Sequence, residues 1–256
     1  MRAGLLLLFL LTACRSQPSE GAKPATLPAC QAQMFEQSRF TVCDPGKGRI
    51  ELFAAAKAEA PTRQLADLEL SLGNRAAGVA FAMNGGMYDE DGRPIGLAIV
   101  EGRQVHAINT RKGAGNFHLM PNGVFQVHRD GRAEIITSDK WKPASSIRLA
   151  TQSGPMLVID AQLHPSFNPD GSSRYVRNGV GIASDGHPLF VITDDTVSLG
   201  KFARFFRDQL KCRNALFLDG AVSALWDPAA GRRDITKPLG PILVAFRPSA
   251  ESARRP

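Results

Sequence analysis

Cysteine is scarce in this chain of 256 residues, with four in all, at positions 14, 30, 43 and 212. None stands at ligand spacing to another, or to any of the five dispersed histidines (His106, His118, His128, His164 and His187). The sequence therefore offers no metal pattern, and neither a metal nor a cofactor is expected. No apolar run reaches the roughly 20 residues of a spanning helix. The net charge is +7, but Lys and Arg form no stripe interleaved with aromatics, so nucleic acid is not an expected partner. An anionic substrate or a polyanionic envelope surface fits that balance. Familiar catalytic signatures are missing too. Gly85-Gly86 lacks the Gly-Lys-Ser ending of a phosphate loop, and Ser153 is in no G-x-S-x-G elbow. Asp89-Glu90-Asp91-Gly92 lacks the remaining ligands of a calcium loop.

What is present begins at the N-terminus. Arg2 precedes an apolar run at residues 5–11, followed by Leu11-Thr12-Ala13-Cys14. The pattern resembles a bacterial lipobox, the alternative being an ordinary signal peptide with a chance cysteine. The resemblance implies that residues 1–13 are a lipoprotein signal peptide and that Cys14 is acylated. Each buried methylene of the lipid would contribute about 0.8 kcal/mol to holding the chain on a bilayer. Residues 14–28 then read as the lipidated cysteine and a flexible tether, 29–248 as a single folded domain, and 249–256 as a disordered tail. The expected location is the bacterial cell envelope, facing the periplasm or the exterior. Export implies an oxidising compartment, where Cys30 and Cys43 are the favoured disulfide. Cys212 reads as a buried small hydrophobe.

Most of the chain alternates apolar and polar residues between short turns. A hairpin is expected from residues 40–43 and 49–55 about Asp44-Pro45-Gly46. Further hairpin signals stand at Glu101-Gly102-Arg103, Pro121-Asn122-Gly123, Arg129-Asp130-Gly131 and Ser184-Asp185-Gly186-His187. Thr62 could cap a helix ending near Leu72. Residues 198–210 are the clearest helix, with Leu199, Phe202, Phe206 and Leu210 on one face and Lys201, Arg204 and Arg207 on the solvated faces. Strands outnumber helices. The expected fold is α+β, a large, mostly antiparallel or mixed sheet with a few covering helices in one domain.

Four loop motifs share a plan: an apolar strand, then small residues beside a polar one. They are Asn84-Gly85-Gly86-Met87-Tyr88, Gln152-Ser153-Gly154, Arg177-Asn178-Gly179 and Asp219-Gly220-Ala221-Val222-Ser223. Glycines let backbone approach a ligand, and the polar residues supply directional contacts. Arg177 could grip a phosphate in bidentate fashion. Asp219, ending a buried strand, could be a carboxylate of raised pKa. Taken singly, each motif has a plain structural reading, since Asn-Gly is also a common hairpin turn.

Taken together, "FAMNGGMYDEDGRPIGL", "ATQSGPMLVID", "SRYVRNGVGI" and "FARFFRDQLKCRNALFLDGAVSALW" resemble the phosphodiester glycosidase family, that of the lysosomal uncovering enzyme. The resemblance implies an α+β domain that hydrolyses a glycosidic bond with a phosphate leaving group. It also implies substrate contacts from Asn84, Gly85, Gly86, Tyr88, Gln152, Ser153, Gly154, Asn178, Gly220 and Ser223. Arg177 would face the phosphate and Asp219 would activate water, with Asp194 or Asp195 a candidate second carboxylate. One departure stands out: many members read Leu-Asp-Gly-Gly-Gly-Ser where this chain has Ala221-Val222 before Ser223. The expected partners are a sugar-phosphodiester or glycan substrate and, through Cys14, a lipid bilayer. A non-catalytic glycan-binding lipoprotein and a phosphodiesterase that breaks the P–O bond are the rival readings.

Overall fold

Period-two patterning produces strands along nearly the whole chain. The computed structural model describes residues 28–248; the expectations for residues 1–13, Cys14 and residues 249–256 lie outside them. In order, the elements are β1 (Cys30–Phe35), β2 (Ser38–Cys43), β3 (Ile50–Phe53), α1 (Leu65–Leu72), β4 (Val79–Asn84), β5 (Ala98–Val100), β6 (Arg103–His106), β7 (Gly123–His128), β8 (Ala133–Thr137), β9 (Ile147–Ser153), β10 (Met156–Ile159), β11 (Gln162–Leu163), β12 (Asn178–Ile182), β13 (Pro188–Thr193), α2 (Leu199–Arg204), β14 (Asn214–Phe217), β15 (Leu225–Asp227), β16 (Arg232–Arg233) and β17 (Ile242–Phe246).

The α+β expectation holds, with the strands divided among three antiparallel sheets. A seven-stranded sheet runs β1-β2-β13-β12-β14-β10-β11, and two five-stranded sheets run β16-β15-β4-β17-β3 and β6-β5-β9-β7-β8. Proline marks the crossings, because it brings no N–H to a ladder. Pro155 stands between β9 and β10, which belong to different sheets. Pro45 stands between β2 and β3, so the hairpin expected there does not form. β2 pairs instead with β1, Cys30 opposite Cys43, and a disulfide joins the two. That hairpin turns at Glu36-Gln37, both at positive φ (43° and 60°). Pro121-Asn122 is likewise no hairpin but the lead-in to β7, whereas the turns at 101–103, 129–131 and 184–187 do join paired strands.

The sheets share one core. Phe81 of β4, Phe125 of β7 and Phe190 of β13 come from the three different sheets and are all essentially inaccessible to solvent. The Phe190 ring centre is 5.4 Å from that of Phe81 and 5.6 Å from that of Phe125. α1 covers the β4–β17 sheet with Leu65, Leu68 and Leu72. It starts after Gln64 with no side-chain cap, so Thr62 does not serve as one.

α2 is capped by Ser198, whose hydroxyl accepts from Lys201 N at 3.1 Å. It stays α-helical only to Arg204 and widens to a π turn over Phe205–Gln209. One extra residue in the turn rotates the side chains beyond it, so that Phe202, Phe205 and Phe206 can all face the sheet. The basic residues are less solvated than their pattern predicts. Arg204 makes a two-pronged ion pair with Glu36, and Lys201 donates to the Glu36 carbonyl, so both brace the β1–β2 turn. Cys212 is buried, and burial pushes its thiol up to about 12, as suits an inert hydrophobe.

Because Phe190 touches both other sheets, Phe190→Ala is expected to cost about 3–5 kcal/mol of unfolding free energy in urea melts. A loss below about 1 kcal/mol, typical of a surface change, would mean that the sheets do not share a core.

Candidate active site

Antiparallel register decides which residues share an edge. Asn178 of β12 pairs with Ile192 of β13, and Gly179 pairs with Phe217 of β14. Arg177, Thr193 and Asp219 therefore emerge at one edge of the seven-stranded sheet. On the adjoining sheet Asn84 ends β4 opposite Ile242 and delivers Gly85 and Gly86 to the same edge.

The side chain of Asn84 ties these loops together. Its Nδ2 donates to the Asp219 carbonyl at 2.8 Å, and its Oδ1 accepts from Ala224 N and Asn178 Nδ2, both at 2.9 Å. Asn178 Nδ2 also donates to the Asn84 carbonyl at 2.9 Å. Ser223 Oγ lies 3.3 Å from Asn178 Oδ1 and 3.2 Å from the Val176 carbonyl, both of which can accept from it.

Gly85 N donates to the Pro241 carbonyl at 2.7 Å, and the Gly85 carbonyl accepts from Asp219 N at 3.1 Å. Gly86 N donates to Thr151 Oγ1 at 3.2 Å, and a Cβ on Gly86 would run into the Gln152 carbonyl. Neither glycine has positive φ, so this is not the left-handed Asn-Gly hairpin turn. The pair is glycine because three pieces of backbone meet there. The turn proper is at Asp91-Gly92, where Gly92 has φ 84°.

Arg177 is buried, at 2% exposure. Its Nε donates to the Val197 carbonyl at 2.8 Å and its Nη2 to the Ser173 carbonyl at 2.9 Å. The guanidinium carbon lies 5.6 Å from the Tyr175 ring centre and 5.5 Å from that of Phe217. Among the described residues no carboxylate pairs with it. Burial pushes its pKa from 12.5 down to about 10, so holding the charge there costs on the order of 3 kcal/mol.

Asp219 follows Phe217 and Leu218 out of the strand next to β12. Its Oδ1 accepts from Ala221 N at 3.1 Å, and it has no cationic partner among the described residues. Burial raises its pKa above the ordinary carboxylate value, with the Ala221 N–H opposing. A Cβ on Gly220 would collide with the Phe217 ring, which packs this loop against the floor under Arg177. Tyr88 is half-buried and donates its hydroxyl to the Pro238 carbonyl at 2.7 Å. Burial first, then the charge of Asp219, push its phenol up to about 12, and Arg63 opposes them.

The remaining expected residues have side chains engaged elsewhere or packed away from Arg177 and Asp219. Gln152 spends both amide atoms inside the protein. Its Oε1 accepts from Leu97 N and Asn109 N, both at 2.9 Å, while its Nε2 donates to the Asn109 carbonyl at 2.6 Å and to Asn122 Oδ1 at 3.2 Å. Ser153 Oγ is buried with no hydrogen-bond partner, and Gly154 packs against Asn122 and Phe117. Asp194 lies at the same edge, but Arg232 Nη1 holds its carboxylate at 2.7 Å and Thr41 Oγ1 donates to it at 2.9 Å. Asp195 accepts from Arg39 N at 2.7 Å.

Three contributors were not among the expected site residues. Thr193 Oγ1 accepts from Arg177 N at 2.9 Å, Thr151 holds Gly86, and Asn122 holds Gln152. Tyr175, exposed beside the guanidinium, is a fourth. Among the described residues no three His, Cys, Asp or Glu side chains converge on a metal position. The edge thus offers a buried cation and a carboxyl that is easily protonated, carried on adjacent strands.

Residues 77–239 match the phosphodiester glycosidase family. The uncharacterized protein YigE of Escherichia coli (strain K12) is 38% identical over 153 residues, 60% of this chain and 60% of that protein's length. In three dimensions the fold is similar to the catalytic domain of zebrafish N-acetylglucosamine-1-phosphodiester alpha-N-acetylglucosaminidase, auto-inhibited by its pro-peptide. The TM-score there is 0.59 at 15% identity, covering 86% of this chain and 82% of that one. It is also similar to a hypothetical protein from Synechocystis, with a TM-score of 0.56 at 13% identity, covering 86% of this chain and 61% of that one.

The raised pKa of Asp219 has a consequence for stability. The folded state holds a proton on Asp219 more tightly than the unfolded chain does. Stability therefore falls as pH rises from the ordinary aspartate value of 3.8 through the raised folded value, and that loss persists above it. Asp219→Asn is expected to match the wild type below that window and to be the more stable of the two at neutral pH, in denaturant melts across pH. A variant less stable than the wild type at neutral pH would contradict the assignment.

Proposed function

The chain belongs to the phosphodiester glycosidase family, and on that premise we propose that it is an exported hydrolase cleaving the glycosidic bond of a sugar 1-phosphodiester. One observation carries the reading: a buried guanidinium without a carboxylate partner among the described residues stands one strand away from a carboxyl whose pKa is raised. A buried charge left unpaired is costly, and an anion docking on it offsets that cost. A phosphodiester supplies such an anion, and Arg177 presents a planar fork to its oxygens.

In the proposed reaction Asp219, ionised, accepts a proton from water as the water oxygen bonds to the anomeric carbon. The bond from that carbon to the phosphate oxygen breaks, and its electron pair leaves with the phosphate, whose charge Arg177 stabilises. The products are a free sugar and a phosphate monoester. A pKa raised toward the working pH makes Asp219 a stronger base than an ordinary carboxylate. Asp194, already held by Arg232 and Thr41, is assigned to bracing the edge, so Asp219 carries the proton alone. Asn84, Gly85, Gly86, Asn178, Gly220 and Ser223 hold the loops in place, and Tyr175 offers its ring to the sugar. Lipid attachment at Cys14 would hold this hydrolase on an envelope membrane.

Incubating the protein with a panel of sugar 1-phosphodiesters in oxygen-18 water tests the reading. The expected outcome is label in the released sugar, with kcat lowered at least about 100-fold by Asp219→Asn, the range of a lost general base. Label in the phosphate would make the protein a phosphodiesterase. Saturable binding of the panel without any turnover would make it a binding lipoprotein.

A further inference from the structure

Strands that reach the candidate-site edge run at their other ends to a wide basic groove. Arg148 is the second residue of β9, Pro188 opens β13 and Phe246 closes β17. All three line one groove, while the far ends of the same strands are Ser153, Thr193 and Ile242. At about 3.3 Å per residue, that puts roughly 15–20 Å of sheet between groove and site edge. The groove is lined by seven Lys and Arg side chains against three carboxylates. Arg49 and Arg75 are both paired with Glu51, Arg132 with Glu134 and Arg148 with Glu101. Lys47, Arg129 and Arg247 are exposed and have no ion-pair partner among the described residues; Arg129 and Arg247 bond only to the carbonyls of Ser145 and Ala77.

We propose that this groove seats the domain on an anionic lipid surface, with the candidate site turned away from it. Three observations favour a bilayer over other anions. The free cations come from three separated stretches, the 44–48 crossing, the β7–β8 turn and the end of β17, and so present a broad face and not a single-ion cradle. Pro28 lines a second cavity that shares Gly46, Arg247 and Pro248 with the groove, so the described chain starts at its rim. From there back to Cys14, residues 15–27 reach on the order of 45 Å at full extension. A lipid at Cys14 would therefore keep the groove within reach of the headgroups. The proposal does not depend on the reaction at Asp219.

The test is vesicle co-sedimentation of the full chain carrying Cys14→Ser, so that no acyl chain contributes. Phosphatidylcholine vesicles are compared with vesicles in which about a third of the lipid is phosphatidylglycerol. The phosphatidylcholine arm measures whatever the apolar residues 5–11 contribute. The expected result is binding that needs phosphatidylglycerol and is lost at about 0.5 M salt. Reversing three charges (Lys47→Glu, Arg129→Glu, Arg247→Glu) should weaken it on the order of 100-fold, with the thermal melt unchanged. Equal binding to both vesicles, or binding that ignores salt or the three substitutions, would overturn the proposal. So would polyphosphate that binds the groove far more tightly than the vesicles do, which would point to a soluble polyanion.

Discussion

The carboxamide of Asn84 is the contact on which the candidate site depends. It is almost wholly buried and reaches three other segments: the Asp219 loop through its NH2, and Ala224 and Asn178 through its oxygen. Only a side chain with both a donor and an acceptor can do this. Aspartate could not donate to the Asp219 carbonyl, and alanine would strand several buried polar groups, each at a cost of about 1–3 kcal/mol. The two glycines next to it let Gly85 N reach the Pro241 carbonyl and Gly86 N reach the Thr151 hydroxyl, with the Gln152 backbone packed close by. Two sheets are thereby locked at the same edge where Arg177 and Asp219 emerge.

That rigidity has an electrostatic purpose. Arg177 is buried and charged, Asp219 resists ionisation, and neither has an opposite charge to lean on among the described residues. Such an arrangement lowers stability and persists only where surrounding structure enforces it. Here the enforcement is carbonyl oxygens on Arg177, a single N–H on Asp219 and a core in which Phe190 packs against one phenylalanine from each of the other two sheets. The far ends of the same strands carry paired cations and a few with no partner among the described residues, so the domain has one edge with a single buried cation and another with a diffuse positive field.

Much of the fold was legible from periodicity. The helix expected over residues 198–210 does start there, and the turns expected at 101–103, 129–131 and 184–187 all join paired strands. What failed to show was pairing between distant strands. Asp44-Pro45-Gly46 has the chemistry of a hairpin turn but makes a crossing between sheets, while Glu36-Gln37 has none of that chemistry and makes the turn, braced by Arg204 and Lys201 from far along the chain. Local turn rules cannot see such long-range bracing. At the site, Arg177 and Asp219 were legible as polar residues at the ends of apolar strands. The occupied amide of Gln152 and the ion-paired state of Asp194 were not, because both depend on partners more than 30 residues away. The Thr193 hydroxyl that receives the Arg177 N–H carries no motif at all.

The claim that Arg177 is held buried and unpaired in order to receive a phosphate is most directly tested by calorimetric binding to a protein that cannot turn over. With Asp219→Asn as the background, a sugar 1-phosphodiester and the corresponding free sugar are titrated before and after Arg177→Gln. The account predicts that Arg177→Gln weakens the phosphodiester at least about 10-fold, the scale of one charge-assisted contact, and leaves the free sugar's affinity unchanged. Equal loss of both ligands, or loss of neither, would contradict it.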